Sequence, residues 1–176
     1  ALTDQNIERV LIGAVQETEP IQEIRRRVGA VVLAAGDSRR MGKPKLLLPW
    51  GASTIIRTVC ERVVSCGVHE VVVVAGEEME AIQQQLVNLP VRIVYNPSHE
   101  QGEMLSSLQL GLQSIWYSSS ACMVVLGDQP EIKQDVFSLI LNAYNKGLGR
   151  IIAPTYQNRR GHPILIDNTF WQPVIN

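Results

Sequence analysis

Three apolar, valine-rich runs constrain the fold of this chain more than any other feature of its sequence. They read VGAVVLA at 28–34, EVVVVA at 70–75 and ACMVVLGD at 121–128. Continuous runs of this kind are typical of strands buried on both faces of a parallel sheet. Because segments with helical spacing separate them, the pattern predicts a three-layer α/β fold with a mostly parallel sheet and helices on both faces.

The complete element prediction follows the same periodicities. At the N-terminus, Asp4 caps a predicted helix over the repeating apolar positions from Ile7 to Val15, Pro20 interrupts it, and a shorter helix runs to Arg27. Strands are predicted at 28–34, 70–75, 91–95, 121–128, 150–156 and 162–166, and these include the three apolar runs. Further helices are predicted at 54–65, 78–86, 104–116 and 136–145. Gly147 is placed to end the last of these helices.

Length and composition narrow the class of protein. The 176 residues suit one domain, and the formal net charge of −1 argues against a nucleic-acid-coating protein, so any anion site must be local. The three cysteines, Cys60, Cys66 and Cys122, form no CxxC pair, and Cys60 and Cys122 lie in apolar patterns. All three are therefore predicted to be reduced core residues in a reducing compartment. Since no apolar run approaches the ~18 residues that span a bilayer, and the N-terminal residues do not resemble a signal peptide, we expect a cytoplasmic protein without a membrane partner.

A basic, glycine-containing loop follows the first buried strand. Ligands of parallel sheets bind at the carboxyl ends of the strands, which places the loops at 36–45, 76–78, 96–103 and 127–130 on one rim. Gly36 and Gly42 permit an anion-binding nest of backbone N–H groups. The side chains of Arg39, Arg40, Lys43 and Lys45 add positive charge around it. The loop is neither a Walker A motif nor a GxGxxG fingerprint, and it predicts a polyphosphate ligand; the alternative is an exposed basic loop without one.

Asp128 ends the fourth strand, in VVLGDQP, on the same rim. One carboxylate opposite a phosphate loop is what Mg²⁺ requires; alternatively, Asp128 caps a helix or belongs to a turn. The chain has no HExxH, zinc-ligand spacing or GxSxG motif. The absence of an obvious general base suits an anionic nucleophile, such as a phosphate attacking an α-phosphate.

Five ordered blocks carry a resemblance to a known family. LAAGDSRRMGKPKLLLPWG resembles the LAAGxSxRMGxxK signature of MobA-like nucleotidyltransferases. The segments VVVVAG, NPSHEQGEMLSSLQLGL, LGDQP and RRGHPILI are similar to the family's later blocks, in the same order. Together they resemble the molybdenum cofactor cytidylyltransferase branch. The resemblance covers about residues 28–166 and implies a Rossmann-like nucleotidyltransferase fold.

The resemblance also implies roles for individual residues. Arg40 and Lys45 would hold the triphosphate and act in catalysis, and Asp128 would ligate Mg²⁺. The other implied binding residues are Leu33, Ala34, Ala35, Gly36, Ser38, Gly42, Ala75, Gly76, Asn96, Gly102, Ser107, Arg160 and His162. Of these, the segment at Ala75 and Gly76 would flank the base with Asn96, Gly102 and Ser107, and the segment 160–162 would line the acceptor side. For His162, an ordinary loop hydrogen bond remains the alternative.

The implied reaction joins CTP to molybdopterin, or to the molybdenum cofactor, with release of pyrophosphate. The choice of CTP depends on Ala35, because guanylyl-transferring relatives usually carry LAGG. The alternatives are a guanylyltransferase, a nucleotidyltransferase for another phosphate acceptor, or a non-catalytic cofactor-binding chaperone that docks on a molybdoenzyme or maturation partner. Residues 1–27 are expected to form a helical extension, and residues 28–176 a nucleotidyltransferase domain lacking its C-terminal end.

Overall fold

The computed structural model describes residues 10–12, 22–24, 26–36, 44–99 and 104–176. The helices are α1 (Ile55–Ser65), α2 (Met79–Gln85), α3 (Met104–Ile115), α4 (Gln134–Asn145) and α5 (Gln172–Ile175). The first strands are β1 (Val10–Ile12), β2 (Gln22–Ile24), β3 (Val28–Ala34), β4 (Pro49–Trp50), β5 (Ser53–Thr54) and β6 (Glu70–Ala75). The remaining strands are β7 (Arg92–Tyr95), β8 (Ala121–Leu126), β9 (Ile151–Ile152), β10 (Thr155–Tyr156), β11 (Arg159–Arg160) and β12 (Ile164–Asp167).

The central sheet has six strands in the order β7-β6-β3-β8-β12-β9. Strands β7, β6, β3 and β8 are mutually parallel, and β12 is antiparallel to both β8 and β9. Alternate residues along β3 enter two different cores: Ala30 and Val32 pack with α1, α2 and α4, whereas Val31 packs with α3 and the C-terminal segment. The three-layer, mostly parallel fold predicted from the sequence is therefore confirmed.

Close packing fixes α3 against the middle of this sheet. A Cβ atom placed on Gly111 would lie 2.3 Å from the Cγ1 atom of Val31 on β3. The absence of a side chain at this position lets the helix approach the strand closely. The indole of Trp171 closes the same layer: it is fully buried, and its Nε1 donates to the carbonyl of Ile166 at 3.1 Å.

The prediction of helices at the N-terminus was wrong for the residues described there. Strands β1 and β2 form an antiparallel pair in which Val10 lies opposite Ile24. β-Branched residues such as Val10, Ile12 and Ile24 favour extended backbone, and a period-3.6 pattern over a short segment does not outweigh that preference. The rest of the predicted N-terminal helices lies outside the described residues, and the domain boundary after residue 27 stays a prediction.

The strand predicted at 150–156 is divided in two by the segment containing Pro154. Proline has no N–H to donate to a ladder, so β9 joins the central sheet while β10 pairs with β11 in a separate hairpin. The cysteine prediction is confirmed for Cys60 and Cys122, which are free thiols in the core. Cys66 is also a free thiol, but it is only partly buried against that core. Within the described ranges, none of the helices has the length and apolar character to span a bilayer.

Candidate functional site

The strand order of the sheet reverses between β3 and β8. From β3 the chain turns to β6 and β7 on one side of the sheet, and β8 and β12 lie on the other. In open parallel sheets, ligands bind at this kind of reversal in strand order. The segment Ala35–Gly36 follows β3 here, and Gly127 and Asp128 follow β8.

An ion pair between Lys45 and Asp128 occupies this end of the sheet. The Nζ atom of Lys45 donates to Oδ2 of Asp128 at 2.7 Å, and each side chain is 42% exposed. Lys45 begins a short 3₁₀ turn that ends at Leu47, and the buried Leu46 anchors this turn in the core. The structure therefore brings together the two charged residues that the sequence places on one rim, in a position open to a ligand.

Gly127 fixes the position of the backbone that leads into Asp128. Its backbone N–H donates to the carbonyl of Leu33 on β3 at 2.9 Å. A Cβ atom on residue 127 would lie 2.9 Å from that same carbonyl oxygen and 3.2 Å from Cδ1 of Ile56 on α1. Any larger residue would have to push the backbone of β3 and this loop apart. The need for glycine here is a close approach that the sequence alone does not reveal.

The end of β3 carries four of the predicted binding residues. Ala34 and Ala35 are buried, Leu33 is half-buried, and Gly36 is exposed with open space where a Cβ atom would stand. The predicted residues Ser38, Arg40 and Gly42 lie outside the described residues, as do Arg39 and Lys43.

Asn96 and Ser107, predicted near the base, form an internal hydrogen-bond network. The Nδ2 atom of Asn96 donates to the hydroxyls of Ser106 at 3.0 Å and Ser107 at 2.9 Å, and its Oδ1 accepts from the N–H of Ser98 at 2.9 Å. With these contacts the amide of Asn96 joins the loop after β7 to the first turns of α3. Its side chain is thus engaged in positioning the loop.

A histidine that sequence analysis did not single out covers the end of β6. A Cβ atom on Gly76 would lie 3.0 Å from the ring of His99, and Nδ1 of His99 lies 3.0 Å from the carbonyl of Asn96. Ala75, beside Gly76, is fully buried. His99 therefore shapes the rim where the base was predicted, whereas the predicted Gly102 lies outside the described residues.

His162 reaches the same rim because β12 runs opposite to β8. Ile164 lies opposite Val124 in the sheet register, so the residues entering β12 stand level with the end of β8. Burial lowers the pKa of His162, and the negative charge of Asp128 acts in the opposite direction. Arg160 is exposed in the β10–β11 hairpin, and the N–H of Gly161 donates to the carbonyl of Pro154 at 3.0 Å.

The carboxylate of Asp128 is suited to a cation such as Mg²⁺, which takes most of its ligands from substrate phosphates and water. Across the part of the chain that the structure describes, no three His, Cys, Asp or Glu side chains group as a metal site. Mg²⁺ is commonly held by one or two carboxylates together with substrate phosphates and waters. A half-exposed carboxylate beside a lysine fits a cation that arrives with a nucleotide, and such a cation would neutralise charge on the phosphates.

Comparison with known proteins identifies relatives of two kinds. Nicotine blue oxidoreductase of Paenarthrobacter nicotinovorans is 32% identical over 148 residues, covering 80% of this chain and 71% of that protein. The molybdenum cofactor cytidylyltransferase of Escherichia coli strain K12 is 29% identical, covering 79% and 69%. A probable molybdenum cofactor guanylyltransferase of Bacillus cereus is 30% identical, covering 77% and 64%.

Solved structures share the fold. The crystal structure of Rv0371c from Mycobacterium tuberculosis superimposes with a TM-score of 0.78 at 24% identity, covering 86% of this chain and 76% of that one. Its manganese complex gives a TM-score of 0.72 at 22% identity, covering 85% and 76%. The family model described as the MobA-like NTP transferase domain matches residues 30–175, further toward the C-terminus than the five sequence blocks reach. The chain therefore belongs to the MobA-like NTP transferase family.

Proposed function

We propose that this protein transfers CMP from CTP to the phosphate of molybdopterin or of the molybdenum cofactor, releasing pyrophosphate. The observation that carries the proposal is the Lys45–Asp128 pair, whose Nζ and Oδ2 atoms are 2.7 Å apart where the strand order reverses. A phosphate oxygen of the acceptor forms a bond to the α-phosphorus of CTP. The bond from that phosphorus to the β-phosphate oxygen breaks, and pyrophosphate leaves with the electron pair. The anionic nucleophile needs no general base.

In this proposal, each group of site residues has its own role. Backbone groups from Leu33 to Gly36 wrap the nucleotide, and Lys45 neutralises charge developing at the α-phosphate. Asp128 holds Mg²⁺, which supplies charge neutralisation on the phosphates. In the same proposal Ser38, Arg40 and Gly42 hold the triphosphate, and Gly102 adjoins the base.

The acceptor lies on the opposite side of Asp128 from the base. His162 and the exposed Arg160 reach this side from the segment before β12. Arginine matches the geometry of a phosphate group, and we assign Arg160 to the acceptor. Two relatives whose names specify the molybdenum cofactor support this acceptor class. A cytoplasmic location and delivery to a molybdoenzyme or maturation partner belong to the same proposal.

The choice of base depends on Ala35. This residue is 8% exposed, and in this proposal its methyl group leaves less room for a purine than the glycine of guanylyl-transferring relatives. A pocket difference of one methyl group is worth only about 1–3 kcal/mol. Guanylyl transfer is the second candidate, because the Bacillus cereus relative has that name at 30% identity.

The experiment is a pyrophosphate-release assay with purified protein, Mg²⁺ and molybdopterin, in parallel with CTP, GTP and ATP. We expect release with CTP and with acceptor present, and loss of release in Asp128→Asn. Faster release with GTP would establish the second candidate. Release with a sugar phosphate alone, or no release with any nucleotide, would contradict the proposal. A melting scan ranks the bases independently, because ligand at 100 times its Kd adds about 2.7 kcal/mol of stability.

A further inference from the structure

Helix α1 contacts both segments that carry the Lys45–Asp128 pair. At its start, the N–H of Ile55 donates to the carbonyl of Leu48 at 3.1 Å, just after the turn that begins with Lys45. Farther along, Arg62 donates through Nη1 to the backbone carbonyls of Pro130 and Ile132, the latter at 2.7 Å. Both carbonyls lie in the segment that immediately follows Asp128.

The segment carrying Asp128 is consequently anchored on both sides. Before Asp128, the N–H of Gly127 bonds to β3, and Ile56 of α1 packs against that glycine position. After Asp128, Arg62 holds the carbonyls at 130 and 132. Hydrogen bonds from a charged group to backbone carbonyls are stronger than neutral ones. The backbone that carries the carboxylate is therefore held on both sides.

We propose that Arg62 is a positioning residue that holds Asp128 where it can take a divalent cation delivered with the nucleotide. The inference rests on the proposed function for its assignment of a metal to Asp128. Without Arg62, only a fraction of molecules would hold the carboxylate in place. The apparent affinity for metal would then fall in proportion to that fraction. Arg62 touches neither substrate nor metal in this proposal; it acts through the backbone.

The same helix supplies a matched control. Arg57 also donates from α1 to two backbone carbonyls, those of Gln85 at 2.6 Å and Val87 at 3.2 Å. These carbonyls lie at the end of α2, away from the segment that carries Asp128. Arg57→Met therefore removes the same kind of contact from the same helix, together with the ion pair between Nε of Arg57 and Oε1 of Glu61. It is expected to alter the stability of the fold without altering metal binding.

The test measures CTP affinity with and without Mn²⁺, in the absence of acceptor so that no transfer occurs. The ratio of the two dissociation constants is the metal-dependent gain. We expect Arg62→Met to reduce this gain about ten-fold, with metal-free CTP affinity unchanged within about two-fold. Arg57→Met should retain the wild-type gain. In Asp128→Asn the gain should be lost, and adding Arg62→Met to that variant should change nothing further, because both residues act through one carboxylate.

The outcomes separate the two proposals. If Asp128→Asn removes the gain but Arg62→Met keeps it, the positioning role is wrong and the proposed function stands. If Asp128→Asn keeps the full gain, the metal assignment fails, and the role of Arg62 fails with it. Should Arg62→Met not fold, Arg62→Lys serves, because lysine keeps the charge but lacks the planar fork of N–H groups. It should lose about three-fold of the gain, and an unchanged gain would overturn the inference.

Discussion

Two aspartates at opposite ends of the central sheet have very different surroundings. Asp128 follows β8 at the carboxyl end of the parallel strands, with a side chain that is 42% exposed. Asp167 ends β12 opposite Ala121, at the amino end of β8, and its side chain is 3% exposed. Both are paired with a basic residue, so the presence of a salt bridge does not distinguish them.

The difference lies in how many hydrogen bonds each carboxylate receives. Oδ2 of Asp167 accepts from the hydroxyl of Tyr144 at 2.8 Å and from Arg26 at 3.4 Å. Its Oδ1 accepts from Arg150 at 3.1 Å and from the N–H and hydroxyl of Thr169 at 3.2 and 2.7 Å. Among the described residues, the hydrogen bond of Asp128 is to Lys45. The saturated carboxylate stabilises structure, whereas the half-exposed one retains capacity for a ligand.

The strongest test of this contrast is Asp128→Asn. We expect nucleotidyl transfer to fall about 1000-fold or more, because the amide lacks the charge that holds a divalent cation. The free energy of unfolding should change by less than about 1 kcal/mol, since exposed ion pairs contribute little. Pyrophosphate release and urea unfolding measure the two effects. A large loss of stability with unchanged transfer would reverse the roles assigned to the two aspartates.

Asp167→Asn should show the opposite pattern. Removing the charge from this buried network takes away a counter-ion that Arg26 and Arg150 share and forces a hydroxyl donor to find another acceptor. We expect the free energy of unfolding to fall by about 2–3 kcal/mol. Transfer by the folded protein should stay within about two-fold of wild type. Comparing denaturant midpoints with kcat below the transition checks both, and a large fall in kcat of the folded enzyme would contradict the distinction.

Gly127→Ala tests how tightly the carboxyl end is positioned. The added Cβ would stand 2.9 Å from the carbonyl oxygen of Leu33, so the segment carrying Asp128 must shift. We expect a destabilisation of about 1–3 kcal/mol, and transfer slower by about ten-fold because the carboxylate is displaced. Gly149→Ala is the control, since its Cβ would meet the Ile151 carbonyl oxygen at an ordinary 3.5 Å. Equal effects of the two substitutions would show that the close approach at Gly127 is unimportant.

The smallest expected effect is a dependence of stability on pH. Burial by itself raises the pKa of Asp167, but hydrogen bonds from Thr169 and Tyr144 and the charge of Arg150 bring it below the ordinary value of 3.8. The ionised group thus contributes stability that is fully present above that value and is lost as pH falls through the lower, folded-state pKa. Unfolding of wild type and Asp167→Asn should be compared from neutral pH down to about 2.5. Their difference should shrink toward the acid end, and a difference that grew there would contradict the sign.

The strands and helices of the core could be predicted because each is specified by local pattern. EVVVVA is buried from Val71 to Ala75, and the helix predicted from 54 to 65 begins only one residue later. The six residues described before Arg26 could not be predicted in this way. There, a few apolar positions fit both periodicities, and pairing between β1 and β2 decided the outcome.

The candidate site could be predicted only where a charged residue lies at the end of an apolar run. Lys45 and Asp128 stand out as charged residues at the ends of apolar runs, and the topology places them in contact. Arg62 instead lies within a helix, and the carbonyls that it contacts are 68 and 70 residues away along the chain. Gly127 likewise requires knowledge of the neighbouring strand. Arg62 lies close to the buried residues Val59 and Val63 of α1 and is itself partly buried. This position is the feature that could have singled it out.

The hairpin formed by β10 and β11 has a consequence for how such a protein can diversify. Its strands are exposed. At its base, the N–H of Gly161 donates to the carbonyl of Pro154, which holds the two ends of the hairpin together. Its tip is a tight turn with Gln157 and Asn158 at positive φ. Because lengthening an exposed loop costs little conformational entropy, this appendage can be exchanged or extended during evolution while the sheet and its charged pair stay intact. Because the proposed function assigns Arg160 of this hairpin to the acceptor, that proposal implies that the acceptor could change without any change in the hydrophobic interior.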